Sequence, residues 1–210
     1  MARFFRDNGL TFVLGGMFLA SLVGMILTGQ SAYNQELVAH GQAGLGLPAY
    51  LVSGNFLSAL LENWESEFLQ MAVYVVLTAM LFQRGSAESR DPDKPERDND
   101  VVWWRHRHPV AAWLYERSLG ISLAVLFLLS FVLHWWFSLL ATNEEAIRHG
   151  QPTEQLMGYL LDPKLWFESF QNWQSEFLST ALLVVLSIFL RHKGSPESKP
   201  VAAPNSHTGD

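Results

Sequence analysis

The block ENWESEFLQ at residues 62–70 and its near copy QNWQSEFLS at residues 171–179 hold the side chains best placed to do chemistry. On a helix, Asn63 and Glu67 lie four residues apart on one face, with Trp64 and Phe68 on the face beside it. If the second copy folds alike, Asn63, Glu67, Asn172 and Glu176 can gather around one axis. Two carboxylates drawn together repel, and a shared proton or a cation relieves the repulsion, so this set is a candidate polar intramembrane site for a cation or proton. The same residues have a plainer reading. A Glu near a helix start favours the macrodipole, Ser and Asn satisfy free backbone donors, and Trp anchors a membrane interface.

A second repeated pattern is Asn34-x-Glu36-x3-His40-Gly41 against Asn143-x-Glu145-x3-His149-Gly150. Glu and His four apart on a helix can share a metal ion, and the pairs Glu36 with His40 and Glu145 with His149 would together complete a tetrahedral site. A short helix with a polar start, Glu in its first turn, His at its end and Gly as the C-cap explains every one of these residues without a metal. His134 lies inside an apolar run and corresponds to Met25 in the other copy, a pair that haem ligation could use. The ordinary alternative is a buried His bonded to a neighbouring helix. Gly16, Ala20 and Gly24 form a small-residue stripe that lets another helix approach closely, which is packing rather than catalysis. Arg84-Gly85-Ser86 and Lys193-Gly194-Ser195 end their helices with a cation and a C-cap glycine, leaving Glu88 and Glu197 as part of the exit. No phosphate-binding glycine loop, nucleophile elbow or HExxH motif occurs. With no Cys there is no disulfide, thiolate metal site, iron-sulfur cluster or cysteine nucleophile, and the sequence calls for no cofactor.

These side chains must be positioned by elements that suit the composition. Of 210 residues, 49% are hydrophobic and only 16% charged, which argues against both a disordered chain and an ordinary soluble globule. Residues 11–29 run without a charge over about 28 Å of helix, close to a bilayer's hydrocarbon thickness. Residues 119–141 form a similar run. The shorter apolar runs 68–82 and 177–190 reach that thickness only by including the residues before them, giving spans of about 64–82 and 173–190 with a carboxylate one turn inside. The expected fold is therefore all-α: a polytopic membrane protein with four transmembrane helices.

Lys and Arg are retained on the cytoplasmic side of a membrane, and here all but Arg148 and Lys164 fall before the first run, between residues 84 and 117, or after residue 190. Both termini and the central loop are expected inside, with residues 30–63 and 142–172 as two outer loops. Counted through Glu67 and Glu176, the outer segments then carry ten carboxylates against two basic groups, a net of about minus eight. That balance excludes a nucleic-acid partner. The N-terminal run is long for a signal peptide, and its later counterpart cannot be one.

Shifted by 109 residues, the chain matches itself without gaps at about 28 of roughly 73 positions, from Met17–Ser89 to Leu126–Ser198. Each copy holds an even number of spans, so the two share one orientation and are expected to relate by a pseudo-twofold axis along the membrane normal, as two parallel two-helix repeats. The first repeat covers residues 1–89 and the second 119–198. Residues 90–100, nearly all charge, Pro and small polar groups, read as a disordered linker, and 199–210 as a disordered tail. Residues 101–118, with Trp103, Trp104, Trp113 and Tyr115 among basic groups, read as an interfacial segment.

The blocks FxxDNGL, YNxE, HG, ENWESEFLQ, QRGSAES, SFQNWQSEFL and GSPESKPV, spread over nearly the whole chain, resemble those of a family of bacterial integral membrane proteins built on a domain of unknown function. The resemblance implies a bacterial inner-membrane location and no particular activity. Three roles remain open on the sequence: a non-catalytic scaffold that contacts a protein partner or a second copy of itself, a passage or sensor for cations or protons, and a membrane enzyme or redox subunit. The bilayer is the one partner common to all three.

Overall fold

A computed structural model describes residues 2–94, 96–97 and 100–209, with side chains from residue 4 onward. Seven helices and no strand occur among them: α1 (Ala2–Ala39), α2 (Leu47–Leu51), α3 (Gly54–Met80), α4 (Pro109–Glu116), α5 (Ser118–Arg148), α6 (Leu156–Tyr159) and α7 (Pro163–Phe189). Local chemistry explains the boundaries. Pro163 begins α7 behind Asp162, whose carboxylate accepts from the Lys164 N–H at 2.7 Å. Pro48 and Pro109 start α2 and α4. Beyond α1 and α5, Gly41 and Gly150 adopt φ of 74° and 67°, the left-handed geometry expected of the two His-Gly pairs.

Among the described residues, two helices are long and apolar enough to cross a membrane, over Phe4–Ala39 and Ser118–Arg148, where four are expected from the sequence. The helices α3 and α7 have 27 residues each, enough in length at about 1.5 Å per residue. Their N-terminal halves dilute them: Glu62, Asn63, Glu65 and Glu67 in one, Glu168, Gln171, Asn172 and Glu176 in the other. Only a dozen or so residues at the end of each are apolar, which is too few on composition alone.

The chain divides into two compact units, Met1–Leu60 with His134–Leu160, and Leu61–Leu133 with Leu161–Asp210. In the first unit, Tyr33, Leu37, Tyr50 and Phe56 form a buried cluster against which Met25, Ile26 and Leu45 pack. Helices approach closely there. A Cβ added to Gly54 would stand 2.6 Å from the backbone nitrogen of Ala141. In the second unit, Phe127, Phe131, Trp166, Phe170 and Trp173 form a chain of ring contacts with centroids 5.3 to 6.4 Å apart.

The segments read as linker and tail differ in how they are held. Part of 90–100 lies outside the described residues; before the gap, Arg84 makes a two-pronged pair with Asp93 at 2.7 and 3.0 Å, both side chains exposed. The residues beyond Lys199, expected to be disordered, are instead placed in turns against the second unit. Arg191 donates to the Ala203 carbonyl and to Asn205, Thr208 accepts from the Gly85 N–H, and Gly209 donates to the Ser86 carbonyl. Composition measures how much apolar area a segment can bury, and this one is anchored by polar groups that such a measure does not see. The segment 101–118, read from the sequence as interfacial, contains α4, with Arg105 and Arg117 on either side of Glu116.

Candidate functional site

The NWxSEFL blocks sit on α3 and α7 in the second unit, and the face they bury differs from the expected one. Leu61, Glu65 and Ala72 are buried along α3 at helical spacing, while Asn63 and Glu67 are exposed. Glu65 is fully buried and accepts from the Trp173 indole N–H at 3.0 Å. Asn172 donates to Glu62 at 2.5 Å. Glu176 is half-buried, close enough to Glu67 to feel its charge. Of the four predicted residues, then, Asn172 reaches Glu62 and Glu176 feels the charge of Glu67; Gln70 donates to Thr180, and the α3 carboxylates that take donors from α7 are Glu62 and Glu65. The signal for them was present: they are the positions where the first copy has Glu and the second has Gln171 and Gln174. Attention to what the copies share passes over what they do not.

In the first unit, the second predicted constellation is brought together in part. The His40 and His149 rings meet edge to face, 5.2 Å between centroids. Glu36 turns to Arg148, with 3.5 Å between Oε1 and Nη2, and its backbone carbonyl lies 2.8 Å from His40 Nδ1. Glu145 is exposed. Among the described residues no group of three or more His, Asp or Glu side chains is arranged to hold a metal ion. Sequence reasoning counted Arg148 only as an outer charge, yet it stacks over the Tyr33 ring at 5.6 Å and is almost fully enclosed.

The GSxES blocks, read from sequence as simple helix exits, are built more elaborately. Gly85 and Gly194 take φ of 85° and 86°, and Ser89 and Ser198 accept from the backbone N–H of Gln83 and His192, each at 2.8 Å. Glu88 accepts from the Tyr74 hydroxyl at 2.9 Å, with the negative charge of Glu197 nearby. Burial lifts the Glu88 carboxyl above its ordinary range; the Tyr74 bond opposes this, and Glu197 adds to it. Tyr74 and Glu88 lie at the edge of a cavity of about 410 Å³ whose other walls, such as Leu77, Phe177 and Val184, are mostly apolar. Lys199 is buried and donates to the carbonyls of Gly85, Ile188, Asn205 and His207. Its burial and nearby Arg191 hold its amine below the ordinary lysine range.

The remaining candidates are quieter. Gly16, Ala20 and Gly24 are exposed, and a Cβ added to either glycine would meet nothing within 4 Å. His134 is fully buried, and Met25 packs on the Tyr33 cluster.

Fold and site together define an all-helical protein with two helices able to cross a membrane and polar groups buried where its helices meet. The chain belongs to a family described as a domain of unknown function, DUF6766, whose model covers residues 1–210. No functionally curated protein and no solved structure matches it.

Proposed function

We propose that the protein is a non-catalytic, multi-pass protein of the bacterial inner membrane that scaffolds or binds a partner through its acidic outer loops. In this reading it crosses four times as two parallel repeats, with both termini cytoplasmic. One observation carries the membrane assignment: between Leu10 and Leu27, α1 leaves Leu10, Phe12, Val13, Leu14, Met17 and Leu19 between 48% and 74% exposed. At about 25 cal/mol per Å² of apolar surface, such a helix face is costly in water and is relieved by acyl chains. The repeat reading is supported by matched hydrogen bonds. Asn34 exchanges two bonds with the backbone of Leu45, at 2.7 and 3.0 Å, and 109 residues later Asn143 does the same with Glu154 at 2.8 and 3.0 Å. Extraction of membranes with alkaline carbonate tests the assignment: the protein should remain with the bilayer, and its release would overturn the reading.

A second reading, passage or sensing of a cation or proton, is favoured by the electrostatic contact of Glu67 with Glu176. It requires pH-driven or cation flux in liposomes that Glu176→Gln abolishes. Absence of flux from the parent protein removes it.

A further inference from the structure

The last turn of α5 holds a cation whose hydrogen bonding is incomplete. The Arg148 side chain is only 10% exposed, with its guanidinium over the Tyr33 ring and Nη2 directed to Glu36. Its Nη1 is buried and has no acceptor among the described residues. A buried charged donor that has lost its hydration and gained nothing in return is a strong local demand for an oxygen. Arg148 also borders a cavity of about 570 Å³ in the first unit, within the range that holds small ligands. Leu45, Val52 and Ile147 give that cavity an apolar wall.

The charges around the guanidinium restrict what can answer it. Glu144 is exposed on the same cavity, its Oε2 3.4 Å from the Tyr33 hydroxyl that donates to it, and the Glu36 side chain is 47% exposed. The cation is therefore enclosed and the two carboxylates are accessible. A simple anion would meet two like charges on its way to Arg148, and the outer loops as a whole carry excess negative charge. A simple cation would satisfy the carboxylates and leave Nη1 without an oxygen. A molecule with an anionic oxygen and an ammonium group a few bonds apart meets both demands and carries no net charge.

We propose that this cavity binds a small zwitterion, its anionic oxygen taken by Arg148 and its ammonium by Glu144. The chemistry is shared by free amino acids and by the ethanolamine phosphate headgroup of a lipid. The site goes beyond the scaffold reading and does not depend on how many times the chain crosses a membrane.

Calorimetry on the full chain in detergent tests it, with glycine and phosphoethanolamine as zwitterions, acetate as the anion and ethylammonium as the cation. At least one zwitterion should bind saturably, and acetate and ethylammonium at least about tenfold more weakly. Arg148→Gln should abolish the binding and Glu144→Gln weaken it about tenfold, while Glu154→Gln leaves it unchanged. Should Arg148→Gln unfold, Arg148→Lys retains the charge but loses the planar fork, and is expected to weaken zwitterion binding with the unfolding midpoint kept. Nanodiscs separate the two sources. If a headgroup is the natural occupant, phosphatidylethanolamine discs block the soluble probe and phosphatidylglycerol discs do not; if a free zwitterion is, both discs leave its binding intact. Equal binding of acetate and glycine, binding that survives in a folded Arg148 variant, or no saturable zwitterion binding would overturn the proposal.

Discussion

Trp173 and Glu65 show how a single buried pair governs helix contact in the second unit. The carboxylate is fully enclosed and takes the indole N–H at 3.0 Å, so removing the donor leaves a desolvated oxygen with fewer partners while the ring volume is nearly kept. Trp173→Phe is expected to destabilise the protein by about 1–3 kcal/mol in reversible unfolding from detergent. Trp103→Phe, at a ring left 83% exposed, should cost less. Equal losses would assign the effect to ring size alone. At this scale the sequence was least legible. Glu67 and Glu176 drew attention by recurring, but burial fell on Glu65, and a side chain's depth depends on which helix face meets a neighbour. Arg148 was hidden for the same reason, since its enclosure by Tyr33 comes from packing between distant segments.

Among the elements, the ends of α3 and α7 pair helical exits of the same local geometry with very different surroundings. Gly85 and Gly194 share a left-handed backbone, but a Cβ on Gly85 would stand 2.5 Å from the Asn205 carbonyl, whereas one on Gly194 would meet nothing within 4 Å. Gly194→Ala should cost only the backbone penalty of about 1 kcal/mol. Gly85→Ala should cost more and also free the C-terminal segment, read as faster hydrogen exchange at residues 201–209. Indistinguishable exchange in the two variants would mean that the segment is not seated where the turns place it. The long helices were legible because α1 and α5 contain continuous apolar runs, whereas α4, which begins at Pro109, fell within a segment read only as interfacial. The terminal segment was not, because its anchor is one lysine ammonium among four carbonyls, a feature with no compositional signature.

For the molecule as a whole, the number of membrane crossings is the central question, because composition and repeat symmetry answer it differently. Two helices are apolar enough to cross on their own, while the distribution of Lys and Arg, and the like construction of the two copies, call for four crossings. The polar halves of α3 and α7 can enter a bilayer when their Glu, Asn and Trp groups satisfy one another, as Glu62 with Asn172 and Glu65 with Trp173 do. The absence of Cys from the chain makes the measurement clean. Single cysteines at Ser31, Glu96 and Thr153, all exposed positions, are treated with an impermeant maleimide on intact spheroplasts. Four crossings predict labelling at 31 and 153 from outside, with 96 labelled only after permeabilisation. Labelling that places 96 on the same side as 31, with 153 opposite, would mean that α1 and α5 alone cross, and would contradict the account.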